Sequence, residues 1–294
     1  MNVPLAKEMY EPKALEDALS LLMELGERAA VIAGGTDLII NLKEGVSEPE
    51  SLIDIMGMSL SYIRGSRSRG LQIGATTTAE EIGSSDLLRR DLPVLVDAAI
   101  HLGGPQTQSM ATIGGNLCNA SPCANFTNVL VALEAELKIQ SSKGERTVPV
   151  RDFCRGPGVN GLNRGELVSE VLIPAITGSY GTGYVKHTLR REMDIAIVGA
   201  AALVVREGST LKKVRIALGS VGATVVLAES AQGVLEGLGF DESRIATAAA
   251  LAAERDASYI DDVRASASYR AVITEYAVRK AVTEAWNMAK GGRK

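Results

Sequence analysis

Two glycine pairs, each at the end of a short apolar run, constrain this chain more than any other feature. The first lies in VIAGGTDLII, from Val31 to Ile40, and the second in MATIGGNLCNASPCAN, from Met110 to Asn125. Met110, Ala111, Thr112 and Ile113 predict a strand that runs into Gly114, Gly115 and Asn116. Glycine has no Cβ, so a ligand can approach the main chain closely and meet bare N–H groups. In the first segment Gly34 and Gly35 are followed by the Thr36 hydroxyl and the Asp37 carboxylate. Neither segment has the G-x-G-x-x-G spacing of the dinucleotide fingerprint or the lysine of a P-loop. On the residues alone two readings stand: paired backbone cradles for one phosphate-bearing ligand, or two unrelated tight turns. In the cradle reading Thr36 and Thr112 donate hydroxyl hydrogen bonds. Asp37, an acceptor, meets a hydroxyl or an amide rather than a phosphate.

At 294 residues the chain exceeds what one core usually supports, so two or three domains are expected. A net charge of −4 leaves no basic footprint for nucleic acid. No apolar run reaches the ~18–20 residues of a membrane span. The opening MNVPLAKEMYEP lacks a secretory apolar core, which predicts a cytoplasmic location. Three cysteines, Cys118, Cys123 and Cys154, do not form a disulfide framework or a four-ligand metal set. Cys118 is read as lining the ligand site and Cys154 as a small buried thiol. The only histidines, His101 and His187, are far apart in sequence, so neither a zinc site nor a Ser-His-Asp hydrolase is supported.

Along the chain, YEPKALEDALSLLMELG predicts a helix from Leu15 that ends at Gly26. Strands are expected at 29–33 and 51–55, with a short apolar element at 37–42 between them. Two further strands, near Tyr62 and Leu71, flank a solvated basic turn. Thr78 before Glu80 and Glu81 marks a capped helix start. Helices are expected at 93–102 and 125–137, a hairpin around 141–144, and a strand at 166–173. TGSYGTG, 177–183, is the best candidate linker. Beyond it the pattern predicts strands at 184–189, 195–205 and 214–218, then a helix-rich tail from Ala223.

AGGTDL (33–38) and ATIGGN (111–116) resemble the paired FAD-binding motifs of the medium subunits of molybdenum hydroxylases, the family of xanthine and carbon monoxide dehydrogenases. The resemblance continues through YEPKALEDALSLL, LGGPQTQS, GELVSEVLIP, RREMDIAIVGAA, RIALGSVGAT and VRASASYR, in order over nearly the whole chain. It implies an α+β, three-domain FAD-binding fold of the PCMH (vanillyl-alcohol oxidase-like) type with a C-terminal antiparallel sheet plus helices. The implied divisions are 1–58, 59–176 and 177–294. It further implies an oxidoreductase subunit that passes electrons from the [2Fe-2S] clusters of a small partner subunit through FAD to an external acceptor. Substrate oxidation would then occur at molybdopterin in a large partner subunit of the hetero-oligomer.

By the same resemblance, Ile32, Ala33, Gly34, Gly35, Thr36, Asp37 and Leu38 wrap the pyrophosphate. Gly103, Ala111, Thr112, Gly114, Gly115, Asn116 and Cys118 approach the phosphates, ribityl chain and ring. Asn125, Leu167 and Lys186 close over the flavin, with Asp194 nearby. Neither a metal ligand set nor a catalytic acid/base pair is expected in this chain. Two departures stand out: Asn125 where the family often has aspartate, and GPQTQS (104–109) where it often has a histidine and an arginine. A stand-alone flavin reductase of the same superfamily and a non-catalytic nucleotide-binding scaffold are the alternatives. Arg190 and Arg191 are read as a solvated turn.

Overall fold

A computed structural model describes residues 6–190 and 193–291; Arg191 lies outside them. Among the described residues the first unit is a parallel sheet, β1 (Glu8–Tyr10), β2 (Ala29–Ile32) and β3 (Ser51–Asp54), in the order β1-β3-β2. The helix Leu15–Leu25 buries Ala18, Leu19 and Leu22, its i, i+1, i+4 stripe, with Ile53 of the sheet. Gly26 ends it at φ +55°, a conformation open to glycine. The apolar element after the first glycine pair is the helix Leu38–Lys43.

Next come the hairpins β4 (Ile63–Ser66)–β5 (Gly70–Gly74) and β6 (Glu136–Ser141)–β7 (Gly144–Pro149). A small ribbon, β8 (Cys154–Gly156) and β9 (Val159–Asn160), precedes β10 (Glu166–Ile173), which joins the hairpins into the antiparallel order β4-β5-β10-β6-β7. Alternate residues Leu71/Ile73, Leu137/Ile139 and Val171/Ile173 enter one core with the helices Pro93–Ile100 and Asn125–Ala132. The helix Ala79–Ser84 starts as expected. The Thr78 hydroxyl accepts the Glu81 amide at 3.2 Å, and the Glu81 carboxylate takes the Thr78 amide at 2.7 Å. The helix expected at 125–137 stops at Ala132, and Glu134 takes φ +54° as the chain turns into β6.

The third sheet runs β11 (Ser179–His187), β12 (Val198–Glu207), β13 (Thr210–Gly219) and β14 (Val226–Leu227), all antiparallel. β12 reads almost entirely apolar because both its faces are buried. Ala201, Leu203 and Val205 join the core of the second sheet, while Ala200, Ala202 and Val204 join that of the C-terminal helices. The expected linker is corrected here, since TGSYGTG runs into β11. Its glycines serve packing: a Cβ on Gly181 would lie 2.0 Å from the Ala285 carbonyl oxygen, and one on Gly183 2.1 Å from that of Ala281. Both carbonyls belong to the long C-terminal helix Ala267–Ala289.

Candidate functional site

A cleft of about 770 Å³ opens where the first two sheets meet. Its floor and walls are the loop 33–38, the helix Ile113–Cys118, the turn 121–125, Leu167 and Val168 of β10, and Ile195. The volume lies within the range of cofactor sites. Among the described residues Asp37 is the one charged residue in the lining. Desolvation by the cleft walls raises its carboxyl above the ordinary range, although the residue keeps solvent access.

The two glycine segments touch each other. A Cβ on Gly34 would lie 1.7 Å from the Met110 carbonyl oxygen, so only glycine lets the first loop close onto the start of the second. Gly35 has φ +68°. Within this loop the amides of Gly34, Gly35, Thr36, Asp37 and Leu38 donate no hydrogen bond among the described residues. They are the unspent donors of the site.

The second segment differs from the expected strand and turn. Thr112 makes only an isolated bridge to Thr78, and the helix Ile113–Cys118 begins directly after it. Thr112 is the N-cap, accepting the Gly115 amide on its hydroxyl at 3.0 Å. The Gly114 amide donates to the Ala75 carbonyl at 2.9 Å, and the Asn116 amide to the Thr112 carbonyl at 2.9 Å. These N–H groups are therefore spent on the protein, and the expectation of bare amides there is corrected. Gly114 is required by packing, its Cβ lying 2.7 Å from the Ala75 oxygen, whereas a Cβ on Gly115 meets only the Thr112 hydroxyl at 2.9 Å. Gly115 thus presents open space to the cleft.

Two asparagines brace the far wall. The Asn116 side chain accepts the Phe126 amide at 3.3 Å, tying the glycine helix to Asn125–Ala132. Buried Asn125 donates its side-chain amide to the Ala98 carbonyl at 3.1 Å. An aspartate could not donate there, which gives the departure from the family pattern a structural reason. Burial pushes the Cys118 thiol up to about 12, so it remains protonated at neutral pH.

All the sequence-selected residues line this cleft except Gly103, Lys186 and Asp194. Those three line a second cavity of about 380 Å³ with His101, His187, Arg190 and Met193. The two spaces adjoin along the chain at Leu102/Gly103 and Asp194/Ile195. Lys186 donates to the His101 carbonyl at 2.8 Å. Desolvation lowers its pKa, with Asp194 and Cys123 opposing. Arg190 donates its backbone amide to Asp194 at 2.7 Å. Sequence reasoning missed Asn41, Gln106, Thr107, Ser121 and Asn160 in the lining. Asn160 is brought in by the small ribbon and donates to the Cys118 carbonyl at 2.8 Å, a link with no local sequence signal.

Residues 5–176 match the family model described as the FAD binding domain in molybdopterin dehydrogenase, and 183–285 match the CO dehydrogenase flavoprotein C-terminal domain. The chain belongs to the FAD-binding medium subunits of the molybdopterin hydroxylases. The carbon monoxide dehydrogenase medium chain of Hydrogenophaga pseudoflava is 32% identical over 97% of this chain and 98% of that one. The xanthine dehydrogenase FAD-binding subunit of Escherichia coli O157:H7 is 28% identical over 96% and 97%. A solved carbon monoxide dehydrogenase from H. pseudoflava superposes with a TM-score of 0.91 at 32% identity, covering 97% of this chain and 99% of that one. The medium-subunit fold is thus a PCMH-type FAD-binding region followed by an antiparallel sheet with helices. The subunits of this family are components of oxidoreductase complexes. Among the described residues no helix is long and apolar enough to cross a membrane, and no group of acidic, histidine or cysteine side chains could hold a metal.

Proposed function

We propose that this chain holds FAD in the 770 Å³ cleft and is the electron-transfer subunit of a hetero-oligomeric molybdenum hydroxylase. Electrons would arrive from [2Fe-2S] clusters of a small subunit and leave to an external acceptor, with substrate oxidised at molybdopterin in a large subunit. The observation that carries this reading is the row of unpartnered amides from Gly34 to Leu38 beside a lining that, among the described residues, holds no cation. Such a loop holds a diphosphate by oriented N–H dipoles. Around it, neutral polar groups such as Thr112, Asn116 and Asn119 suit a polyol, and Ile55, Leu162 and Leu167 suit an aromatic ring. The residues present therefore fit FAD. Thr112, which accepts from Gly115, keeps its own O–H to donate to the ligand.

Bound FAD supplies a carrier that takes up electron pairs and releases electrons singly. This chain orients it through 32–38, 111–118, Asn125 and Leu167, and Lys186, in the adjoining cavity, supplies a cation that favours electron-rich cofactor. Gly103 and Asp194 line the same adjoining cavity as Lys186 and shape access to the cleft. We read the chain as three units, 1–58, 59–176 and 177–294, with a cytoplasmic location. The relatives are named for different substrates, carbon monoxide and xanthine, so substrate choice is assigned to a partner subunit.

The test is the visible spectrum of the purified chain, followed by denaturation and identification of the released cofactor. Flavin bands and released FAD support the reading. FMN in its place removes the diphosphate argument, and no flavin after incubation with excess FAD overturns the proposal.

A further inference from the structure

The segment VRASASYR, 263–270, lies outside the cleft, yet one of its hydrogen-bond paths ends on a cleft-lining residue and two others end within two residues of one. They start at Asp262, just before it. Asp262 takes the Arg264 guanidinium at 2.5 and 2.9 Å and the Arg264 amide at 2.9 Å, and it receives Arg270 at 2.9 Å. These bonds hold its carboxyl well below the usual carboxylate range.

From this fork, Arg264 reaches the Cys123 sulfur at 3.8 Å, and Cys123 lines the cleft. Arg270, only 2% exposed, donates to the Ser220 carbonyl at 3.2 Å. The Ser220 amide in turn donates to Pro122 at 2.9 Å, in the same turn as Cys123. The third path runs from Arg270 to the Ile197 carbonyl at 2.5 Å, two residues from Ile195, also in the lining. Ser220 carries φ +63°, a conformation costly for a residue with a Cβ. Such a backbone persists only where its surroundings fix it, and here the Arg270 and Pro122 bonds do so.

We infer that Asp262, Arg264 and Arg270 form a clamp by which the C-terminal unit positions the 121–125 turn and so sets FAD affinity without touching the cofactor. The inference rests on the cleft being the FAD site. The three are positioning residues. The half-buried Arg–Asp fork fixes Arg264 in a planar geometry, and Arg264 delivers that constraint across the boundary through a single sulfur contact.

FAD titration of the full-length apo chain tests this with Arg264→Leu, Cys123→Ala and the double variant, alongside their apo thermal midpoints. Arg264→Leu is expected to weaken FAD binding at least tenfold and Cys123→Ala at least threefold. The double variant is expected to match Arg264→Leu alone. In FAD-saturated protein, Arg264→Leu is expected to make the flavin midpoint potential more negative, since a cation is lost beside the wall. A purely structural role would lower the apo midpoint and leave affinity and potential unchanged. That result, or losses that add in the double variant, overturns the clamp. Should Arg264→Leu fail to fold, wild-type FAD affinity in Cys123→Ala overturns it and weakened affinity supports it. Wild-type protein that binds no FAD refutes the cleft assignment instead, an outcome separate from these.

Discussion

A Cβ placed on Gly34 stands 1.7 Å from the carbonyl oxygen of Met110. The overlap is backbone against backbone, so no side chain can rotate to relieve it. Gly34→Ala is expected to separate the two motif segments and to cost about 2–4 kcal/mol in urea unfolding, the range of severe overpacking. FAD content should fall in the same variant. An unchanged urea midpoint would show that the two segments do not pack as described.

Gly115→Val should behave differently. Its new Cβ meets only the Thr112 hydroxyl at 2.9 Å and otherwise enters the cleft. Valine is a slightly better helix former than glycine, so the apo fold should change by no more than about 1 kcal/mol. Bound flavin, read from the visible spectrum against protein concentration, should drop below a tenth of wild type. Normal flavin content would exclude Gly115 from the site.

Asn125→Asp restores the residue the family often carries, but here it loses the donor to the Ala98 carbonyl at 3.1 Å. A buried carboxylate beside a carbonyl is left unpaired, a cost of about 1–3 kcal/mol. Apo stability should therefore fall at pH 7 and partly recover towards pH 4, where the carboxyl protonates and can donate. A stability difference that does not change between those pH values would refute this account of the bond.

Glu166 gives a pH dependence of the ordinary carboxylate sign. Arg146 bonds it at 2.7 and 2.6 Å, and the Asn163 amide at 2.6 Å, which lowers its pKa from 4.5 to about 2. Because the folded value is depressed, the stabilisation is complete above the unfolded value near 4.5 and is lost as pH falls through about 2. Its ceiling is about 3 kcal/mol. Unfolding free energies of wild type and Glu166→Gln should thus differ most above pH 5 and converge towards pH 2. Parallel curves would show that the carboxylate is not selectively stabilised by folding.

Much of the cleft was legible because its first loop is local: strand, glycine pair, hydroxyl and carboxylate are consecutive, and their order carries the geometry. The second segment was misread at Thr112 and Ile113, whose β-branched side chains look like strand. Thr112 is instead a cap, a role decided by which amide its hydroxyl meets. TGSYGTG was misread for a different reason. Gly181 and Gly183 look like punctuation until Ala281 and Ala285, about a hundred residues later, are brought against them. Gly103, Lys186 and Asp194 were grouped with the cleft by resemblance alone. Their neighbouring cavity is lined by residues 101 and 103, 186–190 and 193–194, which no local periodicity brings together.

The alternation in β12 has a dynamic consequence. Leu203 belongs to the core that backs the cleft, and its neighbour Val204 to the core under the C-terminal helix. Neither half can open without stripping one face of a strand on which the other half depends. The amides of β12 should thus be among the slowest in the chain to exchange with deuterium, and heating should melt both halves together. A lesion beneath the C-terminal helix would then be felt at the cofactor as readily as one beside it.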